Sequence, residues 1–172
     1  ALNELKEEVN RFVFIAQIMI HRNQSYIPTQ KALKAILGEK VELNPELSYE
    51  AYMQKLHSAT ICLDAYPFGG FNTIVDALHL GKPVVTWEGT KAYNRLASAV
   101  LRRLGLCELI ATSKEEYVSI ATRLLTDKAF YDDICARIAS LDIDALLYTR
   151  EDELEDFVSK IKMIIDGEIK RV

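Results

Sequence analysis

Two hydrophobic periods alternate along this chain. The run FVFIAQIMI, Phe12 to Ile20, is apolar at successive positions and predicts a strand buried on both faces. Val41-Glu42-Leu43, Thr60 to Asp64, Val84 to Trp87 and Glu108-Leu109-Ile110 read as further strands. Between them the apolar spacing changes to the helical one. A helix is expected over ALNELKEEVN, another from Pro28-Thr29 to Gly38, and one capped by Ser48 that carries Tyr49, Tyr52, Met53 and Leu56. Thr73 to Leu80 is helical and stopped by Gly81 and Pro83, and Tyr93 to Leu104 ends at Gly105. Ser113-Lys114-Glu115-Glu116 is a capping box that opens helices over roughly 114–125 and 128–139. A second box, Thr149-Arg150-Glu151-Asp152, precedes a stripe of Leu154, Phe157, Val158, Ile161, Ile164 and Ile165.

Strands separated by helices imply right-handed crossovers and parallel pairing, with helices on both faces of the sheet. The expected class is α/β, a doubly wound parallel sheet. No repeat, low-complexity tract or linker divides the chain, so residues 1–172 read as one domain ending in a helix over 150–170.

Composition narrows the partners. Hydrophobic residues make up 49% and charged residues 27%, the balance of a globular protein, and the net charge is -4. That charge gives no footprint for nucleic acid or an anionic membrane, which points to a small anion held locally. No apolar run reaches the roughly 18 residues of a membrane span, and the amino terminus carries charges where a signal peptide needs an apolar core. Cys62, Cys107 and Cys135 show no metal or redox spacing and read as reduced thiols. His21, His57 and His79 have no metal spacing either. The expectation is a cytoplasmic protein without a metal.

In a doubly wound sheet, ligands bind outside the carboxyl ends of the strands. Among the loops this selects, AYPFGGFNT is the most informative. Gly69 and Gly70 let backbone approach a ligand closely. The N–H groups of Asn72, Thr73 and Ile74 would then point outward with the positive end of a helix dipole behind them. Thr73 adds a hydroxyl donor. Asp76, one turn further, is placed to accept hydrogen bonds from ribose. On the residues alone two readings stand: a diphosphate seat, or Asn72 as a plain helix cap with Asp76 favoured by the dipole. Arg95 either approaches the ligand or anchors its own helix through a carboxylate. Lys91 is the nearby cation placed to neutralise a departing diphosphate, and His21 ends a strand on the ligand side.

YPFGGFNTIVDALHLGKPVV resembles the nucleotide-sugar loop of GT-B glycosyltransferases. The following WEGTKAYNRLASAVLRRLGLCELIATSKEEYVSIATRLLTD is similar to one branch of them, the O-linked N-acetylglucosamine transferase family. SYEAYMQKLHSATICLDAYPFGG is more similar to its bacterial members, which glucosylate asparagines of adhesins, than to the animal enzyme. The resemblance covers Ser48 to Asp127 well and the flanks loosely. It implies a UDP-sugar site in which Phe71, Asn72 and Thr73 hold the diphosphate and Asp76 the ribose, with Gly70 in the substrate-binding loop beside them. Phe71 departs from the family's usual His or Thr and offers no side-chain donor, so backbone N–H groups must serve there. Tyr49 and Tyr52 stand where the animal enzyme has Lys and His near uracil and phosphate. They either stack on the base and donate O–H or lie on the core stripe of their helix.

The resemblance further implies the carboxy-terminal Rossmann half of a metal-independent enzyme that moves a hexose from UDP to a protein side chain, with no cofactor beyond the donor. The amino-terminal half, which contributes the acceptor site and the general base in this family, is not in the sequence. A fragment inactive alone is expected, its last helix reaching toward that half or self-associating. The rival expectations are a non-enzymatic nucleotide-binding or interaction module and the donor half of a GT-B-like epimerase.

Overall fold

The computed structural model describes residues 1–15, 26–44, 47–148 and 151–166. Its contacts divide the chain into two units, residues 1–140 and 141–172.

Among the described residues the first unit contains five strands, each within or one residue beyond the runs that read as strands: β1 (Phe12–Ile15), β2 (Val41–Asn44), β3 (Cys62–Leu63), β4 (Val84–Trp87) and β5 (Ile110–Ala111). All the pairings are parallel, as the alternation of strands and helices requires. They form two sheets rather than one continuous sheet. β1 pairs with β2, and β3, β4 and β5 follow in that order. The chain passes from β2 to β3 by α2 (Tyr49–His57) and from β3 to β4 by α3 (Asn72–His79). Between β4 and β5 it runs through a 3-10 turn at Ala92–Asn94 and α4 (Leu96–Arg103). Where one helix was expected from Tyr93, the backbone at Arg95 (φ -125°, ψ 0°) separates turn from helix.

α1 (Tyr26–Leu37) begins before Pro28, which is tolerated in a first turn because its missing N–H has no helical partner there. α5 (Lys114–Thr126) and α6 (Lys128–Ser140) match expectation closely, and α5 packs on both β4 and β5. The Ser113 hydroxyl accepts from the Glu116 N–H at 3.1 Å, but the Glu116 carboxylate reaches past it to the Thr112 N–H and hydroxyl. Residues 2–8 form successive turns instead of a helix, with Leu5 fully buried. Val84, Val85, Leu101, Leu109, Ile134 and Ala121 lie at the centre of the core.

The second unit holds α7 (Ile143–Tyr148), which the sequence did not signal, and α8 (Glu151–Ile165). Leu154, Phe157, Val158, Ile161, Ile164 and Ile165 form the expected stripe on α8 and are exposed. The capping residues Thr149 and Arg150 lie outside the described residues, as does His21.

Candidate functional site

The site is built at the carboxyl ends of β3 and β4. β3 runs into Asp64, whose side chain is buried at 8% exposure and turns back into the loop that follows. Asp64 Oδ1 accepts from the N–H of Ala65 at 3.0 Å and of Gly70 at 2.8 Å, and Oδ2 accepts from the Thr86 hydroxyl at 2.7 Å. The Asp64 carbonyl accepts from the buried Tyr117 hydroxyl of α5 at 2.9 Å. Burial pushes the Asp64 carboxyl above the ordinary carboxylate range, while the hydrogen bonds from Gly70, Thr86 and Ala65 work against that shift.

The two glycines of the loop are fixed by their neighbours. A Cβ on Gly69 would meet Asp64 Oδ2 at 2.9 Å, and one on Gly70 would meet Thr73 Oγ1 at 2.3 Å. Neither residue has positive φ, so it is close approach that excludes a side chain here. The Gly70 N–H points inward, to Asp64.

α3 starts at Asn72, and its N-cap position is Phe71, with no side-chain cap. Asn72 therefore does not cap the helix through its side chain. The N–H groups of Ile74 and Val75 both reach the Phe71 carbonyl, at 3.0 and 3.1 Å. Ile74 thus drops out of the expected outward set. The N–H groups of Phe71, Asn72 and Thr73 have no acceptor among the described residues, and all three residues are exposed. Three successive donors and the Thr73 hydroxyl stand at the positive end of a helix whose buried face is Ile74, Val75, Ala77 and Leu78.

Asp76 lies one turn further on the same helix, where α2 meets α3. Ser48 caps α2, its hydroxyl accepting from the Ala51 N–H at 3.2 Å. The Tyr49 hydroxyl donates to Asp76 Oδ1 at 3.2 Å, and its ring lies 5.9 Å from that of Tyr52. That hydrogen bond raises the Tyr49 pKa. The Tyr52 hydroxyl is buried without a hydrogen-bond partner of good geometry among the described residues, and its own pKa is raised, first by burial and then by the nearby Asp76 charge.

The loop after β4 closes against the glycine loop. The Gly69 N–H donates to the Tyr93 carbonyl at 3.2 Å, Phe68 stacks on Tyr93 at 4.8 Å, and Tyr66 stacks on Trp87 at 4.0 Å. The Tyr66–Pro67 peptide is cis. Within this second loop the Asn94 side chain accepts from the Lys91 N–H at 2.9 Å and occupies the space a Cβ on Gly89 would need. The Lys91 side chain is exposed, with no ion-pair partner among the described residues. Arg95 takes the anchoring alternative: its Nε meets Glu88 Oε1 at 3.2 Å. Glu88 also receives both terminal nitrogens of Arg102, each at 2.6 Å, and the Ser98 hydroxyl at 2.9 Å.

The structure thus brings Tyr49, Tyr52 and Asp76 together, places Phe71, Asn72 and Thr73 at the helix start, and sets Lys91 on the neighbouring loop. Asp64, Thr86, Asn94 and Tyr117 were missed by sequence reasoning. The available signal for Asp64 was a lone acid at the end of the apolar run TICLD, five residues before the paired glycines. Among the described residues no group of His, Cys, Asp and Glu could hold a metal ion, and no helix is long and apolar enough to cross a membrane.

Known proteins share both sequence and fold with this chain. It is 33% identical over 96 residues, 55% of its length, to the UDP-glucose:protein N-beta-glucosyltransferase of Actinobacillus pleuropneumoniae. It is 30% identical over 122 residues, 70% of its length, to the probable UDP-N-acetylglucosamine–peptide N-acetylglucosaminyltransferase SPINDLY of Hordeum vulgare. These matches span 16% and 13% of the two relatives. The solved structure of a mutant O-GlcNAc transferase from Thermobaculum terrenum superposes with a TM-score of 0.78 at 25% identity, over 92% of this chain and 32% of that one. The sequence profile of glycosyl transferase family 41 matches residues 8–156, and the chain belongs to that family.

Proposed function

We propose that this chain is the donor-binding part of a protein glycosyltransferase and that its ligand is a UDP-sugar. The observation that carries the reading is the uncapped start of α3, where Phe71, Asn72 and Thr73 are exposed residues whose N–H groups have no acceptor among the described residues. A helix start satisfied by its own side chains has no need of an anion, whereas this one offers three aligned donors. Asp76, with Tyr49 and Tyr52 beside it, is the ribose and uracil end of the same site, and Lys91 is the cation facing the diphosphate. Gly70 serves by allowing the loop to pass close to Thr73, and Arg95 by holding the second loop through Glu88.

In the reaction, the acceptor side chain forms a bond to the sugar C1 as the bond from C1 to the diphosphate oxygen breaks. The electron pair leaves with UDP, and the acceptor proton passes to a general base other than these site residues. Stabilisation of the departing diphosphate by the α3 amides and Lys91 replaces a metal ion in this scheme. The acceptor is a protein side chain, in keeping with what the named relatives act on. We place the protein in the cytoplasm, a setting consistent with three free thiols at Cys62, Cys107 and Cys135.

Calorimetric titration with UDP and ADP, with and without magnesium, tests this. The expected result is UDP-selective binding that is independent of magnesium and about tenfold weaker in Asp76→Ala, the loss of one hydrogen-bonded carboxylate. Equal affinity for UDP in wild type and Asp76→Ala would remove the donor reading.

A further inference from the structure

Asp64 is a buried carboxylate with no cation among its hydrogen-bond partners in the described residues, and none of the chemistry above uses it. Its position explains something the seat requires. Reaching six residues along the chain, it draws the Gly70 N–H inward, and the next three N–H groups are the ones left without an acceptor among the described residues. The paired glycines that let the backbone come close are also the residues most free to rotate away. A fixed acceptor on Gly70 removes that freedom at the point where it matters.

The anchor is itself held on two other sides. Thr86, buried at the end of β4, donates to Oδ2, and Tyr117 of α5 donates to the Asp64 carbonyl. Oδ2 also lies 2.9 Å from where a Cβ on Gly69 would fall, so the carboxylate packs closely against the loop as well as bonding it. β4 thus holds the carboxylate and α5 the backbone of Asp64, and the carboxylate holds the loop.

We propose that Asp64 is a positioning residue, whose carboxylate holds Gly70 inward so that the Phe71, Asn72 and Thr73 amides face a diphosphate together. The role of the loop rests on the geometry alone, and the identity of the anion rests on the donor reading.

The test combines amide hydrogen exchange with UDP titration on the whole chain, for wild type, Asp64→Ala and Asp64→Asn. Trp87 is the only tryptophan and stacks on Tyr66 of the same loop, so its emission reports loop release independently. In Asp64→Ala the Gly70 amide should lose protection, the Trp87 emission should shift, and UDP affinity should fall about tenfold or more, while exchange in α5 and α6 stays as in wild type. Asp64→Asn keeps a weaker, neutral acceptor and should fall between the two in both readouts. Wild-type affinity in Asp64→Ala would overturn the proposal. Where Asp64→Ala does not fold, Asp64→Asn decides, and wild-type exchange at Gly70 together with wild-type affinity would overturn it. A wild-type chain that does not bind UDP would remove the donor reading. Gly70 exchange would then judge the loop anchor by itself: release in the variants supports it and unchanged protection rejects it.

Discussion

Glu88 holds Arg102, Ser98 and Arg95 at once, and these hydrogen bonds, those of Arg102 foremost, pull its carboxyl from the ordinary 4.5 down to about 2. A carboxylate depressed in the folded state stabilises the fold above its unfolded pKa, and that contribution fades as pH falls toward the folded value. Urea denaturation across pH 4.5 to about 2 should therefore show a loss of stability that is reduced in Glu88→Gln. Asp64 has the opposite sign. Its pKa is raised by burial, so its contribution is complete below the unfolded value of 3.8 and is lost as pH rises through the folded one. Neither role was legible in the sequence. A lone loop glutamate and a strand-end aspartate acquire partners only when β3, β4, α4 and α5 are folded together, and no spacing along the chain encodes those distances.

Helix starts were legible where the capping side chain is local. Ser48 and Ser113 cap α2 and α5 as their sequence patterns indicate, since a hydroxyl bonding an N–H three residues on depends only on local backbone. The start of α3 was not decided by sequence, because Asn72 satisfies the same pattern whether it caps or not. The structure separates the cases. Ser48→Ala should cost about 1 kcal/mol of unfolding free energy, measured by urea denaturation. Asn72→Ala should cost less than about 0.5 kcal/mol in the same experiment, since its side chain caps nothing. α7 escaped notice for a related reason: six residues, IDALLY, are too short for a helical period to stand out.

At the scale of the molecule, the α/β class and parallel pairing were readable from the order of apolar runs, because crossover connections leave few alternatives. Division of the strands into two sheets was not, since it depends on how β2 and β3 lie in space rather than on either sequence. The α8 stripe was read correctly as a periodic pattern, but periodicity says nothing of what covers it. With Phe157 at 61% and Ile161 at 40% exposure, Phe157→Lys and Ile161→Lys should each change the unfolding free energy by no more than about 0.5 kcal/mol. Parallel denaturation curves would check this.

The glycines divide by what makes them necessary. Gly105 ends α4 with φ +72°, and a Cβ there would find nothing within 4 Å, so only its own backbone forbids a side chain. Gly70 has an ordinary backbone and is required by the Thr73 hydroxyl it would strike. The difference governs how the two sites can drift through evolution. A substitution at Gly70 can be compensated by a smaller residue at position 73, so the pair is free to change together, at the expense of whatever Thr73 does for a ligand. No neighbour can compensate Gly105. Sequence variation across the family should therefore be correlated at the first site and solitary at the second.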